Sequence, residues 1–271
     1  MFESQVSKTV NQKLEDVLSR LKLYPSVEAV LLMGSAANHT MHAHSDYDLA
    51  CVVRDIPKNI LGINTFIDNT FTEVFFYSSE EVELALKKKT ADLSTKEGWI
   101  INWSRDGKIV LDRSGLLTQL KEKSGKMMDQ VSDTLTYQSW HRLNYNLVQN
   151  ARYFRSENEL YLQALDVKLS FSIVEALVGY FHVRKVSWKG EKEAIRWLKE
   201  HDENFLRLFQ SFFVQTDRSK KMHVYENVVK AVLEPIGGVW QGPVISIVPT
   251  GEIDQNTIQS GLKFWDNLIT I

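Results

Sequence analysis

Val30-Leu31-Leu32-Met33-Gly34-Ser35 opens the decisive stretch, which resumes after a polar segment as Ser45-Asp46-Tyr47-Asp48-Leu49-Ala50-Cys51-Val52-Val53. Each half contains an apolar run of strand length. Alternate residues of a strand share a face, so Asp46 and Asp48 point the same way, roughly 7 Å apart along the chain. Two carboxylates held like this repel each other unless a cation lies between them. Hard divalent ions, magnesium above all, take such oxygen ligands together with substrate phosphates. Gly34 allows a tight turn and a close backbone approach to a ligand. Ser35 follows at an expected helix start, where a hydroxyl and a backbone N–H offer a seat for phosphate.

Upstream, Val6, Val10, Leu14, Val17, Leu18 and Leu21 recur at helical spacing and predict an amphipathic helix over Ser4 to Lys22. Val27 to Met33 is the expected first strand, Ser35 to His39 a short helix and Asp46 to Val53 the second strand. Downstream, Asn59 to Ile67 reads as a short helix. Phe71 to Tyr77 reads as a third strand by its aromatic and β-branched content. Glu73 interrupts that apolar run, and an unpaired carboxylate is costly to bury, so a functional role would account for it. Asp68 is the weaker competitor, because it precedes the strand and stands beside Asn69 in turn-like company.

Ser79-Glu80-Glu81 starts a helix that ends in Lys87-Lys88-Lys89, an order that suits the helix dipole. Lys108 to Gly115 reads as a strand running into a turn. From Met127 to Leu233 the pattern is almost wholly helical. Helices are expected over Thr134 to Arg155, Glu159 to His182, Glu191 to Lys199, Glu203 to Val214 and His223 to Leu233. Val244 to Val248 reads as extended, and Asn256 to Ile271 as a closing helix. The expected fold class is α/β plus all-α: residues 1–124 form a domain with a small mixed β-sheet, and residues 125–271 form a helical bundle.

The chain has 271 residues, 44% hydrophobic and 24% charged, which suffices for a proper core. A formal net charge of −2 argues against a protein that grips nucleic acid through bulk positive charge. The single cysteine, Cys51, excludes a disulfide framework within the chain and fits a reducing cytoplasm. It reads as a buried small residue rather than a nucleophile. Met1-Phe2-Glu3-Ser4 lacks the basic region and apolar core of a signal peptide, and no stretch has the length and apolarity to span a bilayer. The expectation is a cytoplasmic protein with no membrane partner. Nothing in the sequence sets an oligomeric state.

An apolar strand, Gly34-Ser35, a short helix and then Asp46-x-Asp48 on the next strand resemble the nucleotidyltransferase signature of the DNA polymerase beta superfamily. Members carry a third carboxylate on a neighbouring strand that faces the Asp pair. Thr72-Glu73-Val74-Phe75-Phe76 is similar to the Glu-Val strand of nucleotidyltransferases that act on aminoglycosides and lincosamides. The resemblance implies a magnesium-dependent enzyme, with two metal ions about 3.5–4 Å apart, that uses ATP or another nucleoside triphosphate. It implies transfer of a nucleoside monophosphate, AMP above others, to a hydroxyl of a small acceptor, with an aminoglycoside- or lincosamide-like antibiotic as the leading class. Asp46, Asp48 and Glu73 would be the catalytic acids and metal ligands. Glu73 would complete the metal shell or take the proton of the acceptor hydroxyl, the role that the antibiotic-modifying relatives give it. Gly34 and Ser35 would hold the β- and γ-phosphates. Lys168 occupies a place that resembles a phosphate-binding lysine of the relatives. The active site would lie in the cleft between the two domains.

Other readings draw on other residues. His39, His42 and His44 suggest zinc, but no cysteine or second spaced pair joins them, and a polar loop is the plainer account. Arg196 and His201 fit the Arg-x4-6-His spacing of RNA-cleaving HEPN proteins, yet on one helix they project roughly 140° apart. An antitoxin-like enzyme that nucleotidylates a protein or RNA partner would share the same catalytic residues. An inactive nucleotide-binding scaffold conflicts with the presence of all three acids. Asp166 and Glu175 are candidate contacts for a cationic or hydroxylated acceptor. Trp140, Trp188 and Trp197 read as core.

Overall fold

Strand alternation sets the layers in the computed structural model, which describes residues 13–242, 244–248 and 253–269. The chain divides into two units, Met1–Asp129 and Gln130–Ile271. The first is mixed α/β. In order it holds α1 (Leu14–Leu23), β1 (Val27–Met33), α2 (Gly34–Ala37), β2 (Tyr47–Val53), β3 (Gly62–Ile67), β4 (Thr70–Tyr77), α3 (Ser79–Lys87), β5 (Thr90–Ala91), α4 (Lys96–Asp106), β6 (Lys108–Asp112), α5 (Leu116–Ser124) and β7 (Met128–Asp129). Five strands form one mixed sheet in the order β3-β4-β2-β1-β6. β2 and β4 run parallel, and the other neighbours are antiparallel. β5 and β7 make a separate two-residue parallel ladder.

Period-2 alternation gives this sheet two apolar faces. On one, Ala29, Leu31 and Met33 of β1, Ala50 and Val52 of β2 and Tyr77 of β4 pack on Val82, Ala85, Ile100, Ile101, Leu117 and Leu120 from α3, α4 and α5. On the other, Val30, Leu32, Leu49 and Cys51 pack on Leu14, Leu18 and Leu21 of α1. The first helix was expected from Ser4. Val6 and Val10 lie outside the described residues, and Leu14 onward is helical as expected.

The main correction concerns Asn59 to Ile67, expected as a helix. Residues 62–67 form β3 instead, paired antiparallel with β4 through the register Asn64↔Glu73 and Phe66↔Phe71. Ile60, Ile63, Phe66 and Ile67 fit a helical repeat, but Ile63, Thr65 and Ile67 are β-branched and favour a strand. Asp68 and Asn69, with φ of 51° and 59°, close a two-residue hairpin turn. Residues 98–102 belong to α4, whose cap Thr95 accepts from the Gly98 N–H. α3 carries a capping box between Ser78 and Glu81.

The second unit holds α6 (Asp133–Phe154), α7 (Glu159–Val183), α8 (Glu191–His201), α9 (Glu203–Ser211), α10 (Arg218–Leu233), a 3₁₀ turn (Glu234–Ile236) and α11 (Gln255–Ile269). Leu165, Leu169, Ile173, Leu177 and Tyr180 of α7 enter its core, and Trp140, Trp188 and Trp197 pack against that core partly buried. Val244 to Val248 carries no regular secondary structure, and the Tyr137 hydroxyl donates to the Ile247 carbonyl at 2.9 Å. Among the described residues no helix is long and apolar enough to cross a membrane.

Candidate active site

Met33, Asp48, Glu73 and Asn64 stand in one row across β1, β2, β4 and β3, each directly opposite the next. Directly opposed residues share a face of the sheet. Farther along that face, Ala50 and Val52 follow Asp48, and Phe75 and Tyr77 follow Glu73, all in contact with the core under α3, α4 and α5. The acids therefore end two columns of side chains that elsewhere build the interior. Asp46 lies just ahead of β2, not inside it as the pattern suggested.

One carboxylate oxygen each from Asp46, Asp48 and Glu73 lies within 4.8 Å of the other two, and all three residues are partly buried. At such a separation each pair of charges repels by about 1 to 3.5 kcal/mol, for an effective dielectric between 80 and 20. Among the described residues, no lysine or arginine forms an ion pair with Asp46 or Glu73. A divalent cation would turn this repulsion into attraction. The donor set is all carboxylate oxygen, which suits magnesium or manganese rather than zinc. The three residues can hold such an ion.

Gly34 closes the site from the β1 side. Its φ is +60°, and a Cβ there would stand 2.6 Å from Oδ2 of Asp48. Next to it, the Ser35 hydroxyl is buried and has no hydrogen-bond partner among the described residues. Leaving such a group unpaired costs about 1–3 kcal/mol.

The remaining sequence candidates have other company. His42 and His44 are exposed, and His42 Nδ1 accepts from the His44 N–H at 3.2 Å. Among the described residues, the group of three metal-capable side chains is the acidic one. Asp68 is in the hairpin turn. Lys168 is on α7, its ammonium 5.7 Å from the centre of the Tyr153 ring. Asp166 accepts two hydrogen bonds from Arg218 at 3.0 and 2.8 Å, which hold its carboxyl below the usual range. Glu175 accepts from Arg142 and Asn146. Arg196 pairs with Glu193, whereas His201 stacks on Trp197 with centroids 4.3 Å apart, so the two have different neighbours. Cys51 is 1% exposed, and burial pushes its thiol up to about 12. It is a core residue.

Sequence reasoning missed Asn64, opposite Glu73, because a helical reading of its segment hid the pairing. The β-branched Ile63, Thr65 and Ile67 and the Asp68-Asn69 turn signalled it.

No protein-family model and no curated protein matches the sequence. Among solved structures, the chain is similar to a nucleotidyltransferase-like protein from Exiguobacterium sibiricum, at 11% identity over 81% of this chain and 73% of that chain, with a TM-score of 0.45.

Proposed function

We propose that the protein is a nucleotidyltransferase that moves a nucleoside monophosphate, AMP foremost, from a triphosphate to a hydroxyl of a small molecule. The convergence of Asp46, Asp48 and Glu73 beside Gly34 carries this reading. It joins the strand, Gly34-Ser35 and Asp46-x-Asp48 order that resembles the superfamily signature.

In the proposed reaction the acceptor oxygen forms a bond to the α-phosphorus, the bond from that phosphorus to the bridging oxygen breaks, and pyrophosphate leaves. Asp46, Asp48 and Glu73 would hold magnesium, which when bound offsets the charge that builds on the phosphoryl oxygens. The Gly34 backbone and the Ser35 hydroxyl would seat the terminal phosphates. Glu73 is the acid nearest the β3 edge of the sheet, since β4 lies between β2 and β3. Glu73 would either complete the metal shell as the third ligand or, standing off the metal, receive the proton of the acceptor hydroxyl. Lys168 is the phosphate-binding cation that the resemblance implies. The acceptor class suggested by the same resemblance is an aminoglycoside- or lincosamide-like compound.

The test incubates the protein with magnesium, labelled ATP and a panel of hydroxylated acceptors, and follows pyrophosphate release with label transfer. Transfer that disappears in Asp48→Asn supports the reading. Label incorporated into protein or RNA in place of a small molecule would select another acceptor. Absence of transfer together with absence of divalent-cation binding would remove the reading.

A further inference from the structure

Two phenylalanines continue the carboxylate rows toward the sheet edge. Phe71 precedes Glu73 by two residues on β4 and shares its face, about 7 Å away along the strand. Phe66 on β3 is directly opposite Phe71, as Asn64 is opposite Glu73. Asp48, Glu73 and Asn64 form one row of the sheet, and Phe71 and Phe66 form another, two residues along the same face. Asp46 lies just ahead of β2, outside this pairing.

Both rings are open to solvent: Phe66 is 52% exposed and Phe71 40%. Their centroids are 5.6 Å apart at an interplanar angle of 69°. A cross-strand aromatic contact stabilises a hairpin by less than full burial of one phenylalanine does, so the mutual contact recovers only part of what two half-exposed rings forgo. The Asp68-Asn69 turn, with both residues at positive φ, fixes the pair in advance of any ligand. Asn64 is exposed and adds a neutral donor and acceptor beside Glu73.

We propose that Asn64, Phe66 and Phe71 form the acceptor-recognition surface, and that the acceptor carries an aromatic ring about one sugar ring's width from the hydroxyl that reacts. The inference rests on the transferase reading but departs from the acceptor class that the resemblance suggests, since aminoglycosides and lincosamides carry no aromatic ring. The hydroxyl would lie at Glu73 with Asn64 beside it, and the ring would stack on Phe66 and Phe71. The chemistry recognised is that of an aryl glycoside or a similarly spaced aryl alcohol.

Manganese bound by the acids serves as a paramagnetic probe. The full chain is mixed with Mn2+ and either phenyl β-D-glucopyranoside or methyl β-D-glucopyranoside, and proton line widths of the sugar derivative are measured. Asp46→Asn/Asp48→Asn protein supplies the baseline, and Mn2+ affinity is measured separately by electron paramagnetic resonance. The expected result is strong broadening of the phenyl protons with the native chain. It should fall at least threefold in Phe66→Leu/Phe71→Leu, whose Mn2+ affinity stays within twofold of native. Phe66→Trp/Phe71→Trp should restore it. Bound Mn2+ with equal broadening of the two glucosides, or undiminished phenyl broadening in the double leucine variant, would overturn the inference and leave the metal site standing. A native chain that does not bind Mn2+ at the acids would remove the transferase reading and this inference together.

Discussion

Gly34 lies against the carboxylate of Asp48: a methyl group on its Cα would stand 2.6 Å from Oδ2. The contact arises because Met33, the preceding residue, is opposite Asp48 in the β1–β2 register. Gly34→Ala meets two obstacles, the left-handed backbone at φ +60° and this clash. The strained backbone alone costs about 1–2 kcal/mol. The variant should unfold at lower urea and bind Mn2+ at least tenfold more weakly, because Asp48 must move. Calorimetric titration checks the second effect, and unchanged Mn2+ affinity would detach Gly34 from the site.

The acids should show opposite signs in stability and in function. Asp46→Asn and Glu73→Gln each relieve repulsion within a group whose oxygens lie within 4.8 Å. In chelator, each should therefore melt above the native chain by a few degrees, since about 1 kcal/mol shifts Tm by about 2–4 °C in a protein of this size. With magnesium and ATP the order should reverse, because only the native chain gains from binding. Thermal melts in the two buffers decide it. A lower Tm for both variants in chelator would mean that the carboxylates serve the fold.

Ser35→Ala removes a buried hydroxyl that lacks a partner among the described residues. Its loss should leave stability without ligand unchanged or raise it by up to about 1 kcal/mol, within the cost of an unmet hydrogen bond. ATP affinity should fall roughly tenfold, as for loss of one hydrogen bond to a charged group. Urea unfolding combined with nucleotide titration reads both, and unaltered ATP affinity would exclude the hydroxyl from phosphate binding.

Lys168→Ala tests the expected phosphate-binding cation in the helical unit. ATP binding should weaken roughly tenfold in low salt, with Mn2+ affinity preserved. Equal ATP affinity for the variant would assign Lys168 to its contact with the Tyr153 ring, 5.7 Å away.

Cys51 gives a prediction in pH. Burial raises its thiol from the ordinary 9.0 to about 12, so folding favours the protonated form. That contribution is complete below pH 9 and is lost as pH rises toward 12. Across this window the native chain should lose up to about 1.4 kcal/mol per pH unit more than Cys51→Ala. The raised phenols of Tyr77, Tyr180 and Tyr225 act in both proteins and cancel in the difference. Parallel stability curves for the two proteins would refute the thiol's share.

Much of this molecule is readable along the chain, because its signals are local. Leu49, Cys51 and Ala50, Val52 alternate between two faces by the geometry of one strand, so the sequence itself determined that Asp48 would share a face with the core column of β2. The polar residue in an apolar run singled out Glu73, and helical periodicity located α6 through α10. Asn59 to Ile67 shows where local signals end. Ile60, Ile63, Phe66 and Ile67 satisfy a helical repeat while Ile63, Thr65 and Ile67 favour a strand, and pairing with β4 decided between the two. The row from Met33 through Asp48 and Glu73 to Asn64, the pressure of Gly34 on Asp48 and the unmet hydroxyl of Ser35 were likewise decided by tertiary structure. Register and side-chain contact are set between segments distant in sequence, whereas alternation and periodicity are properties of a single backbone.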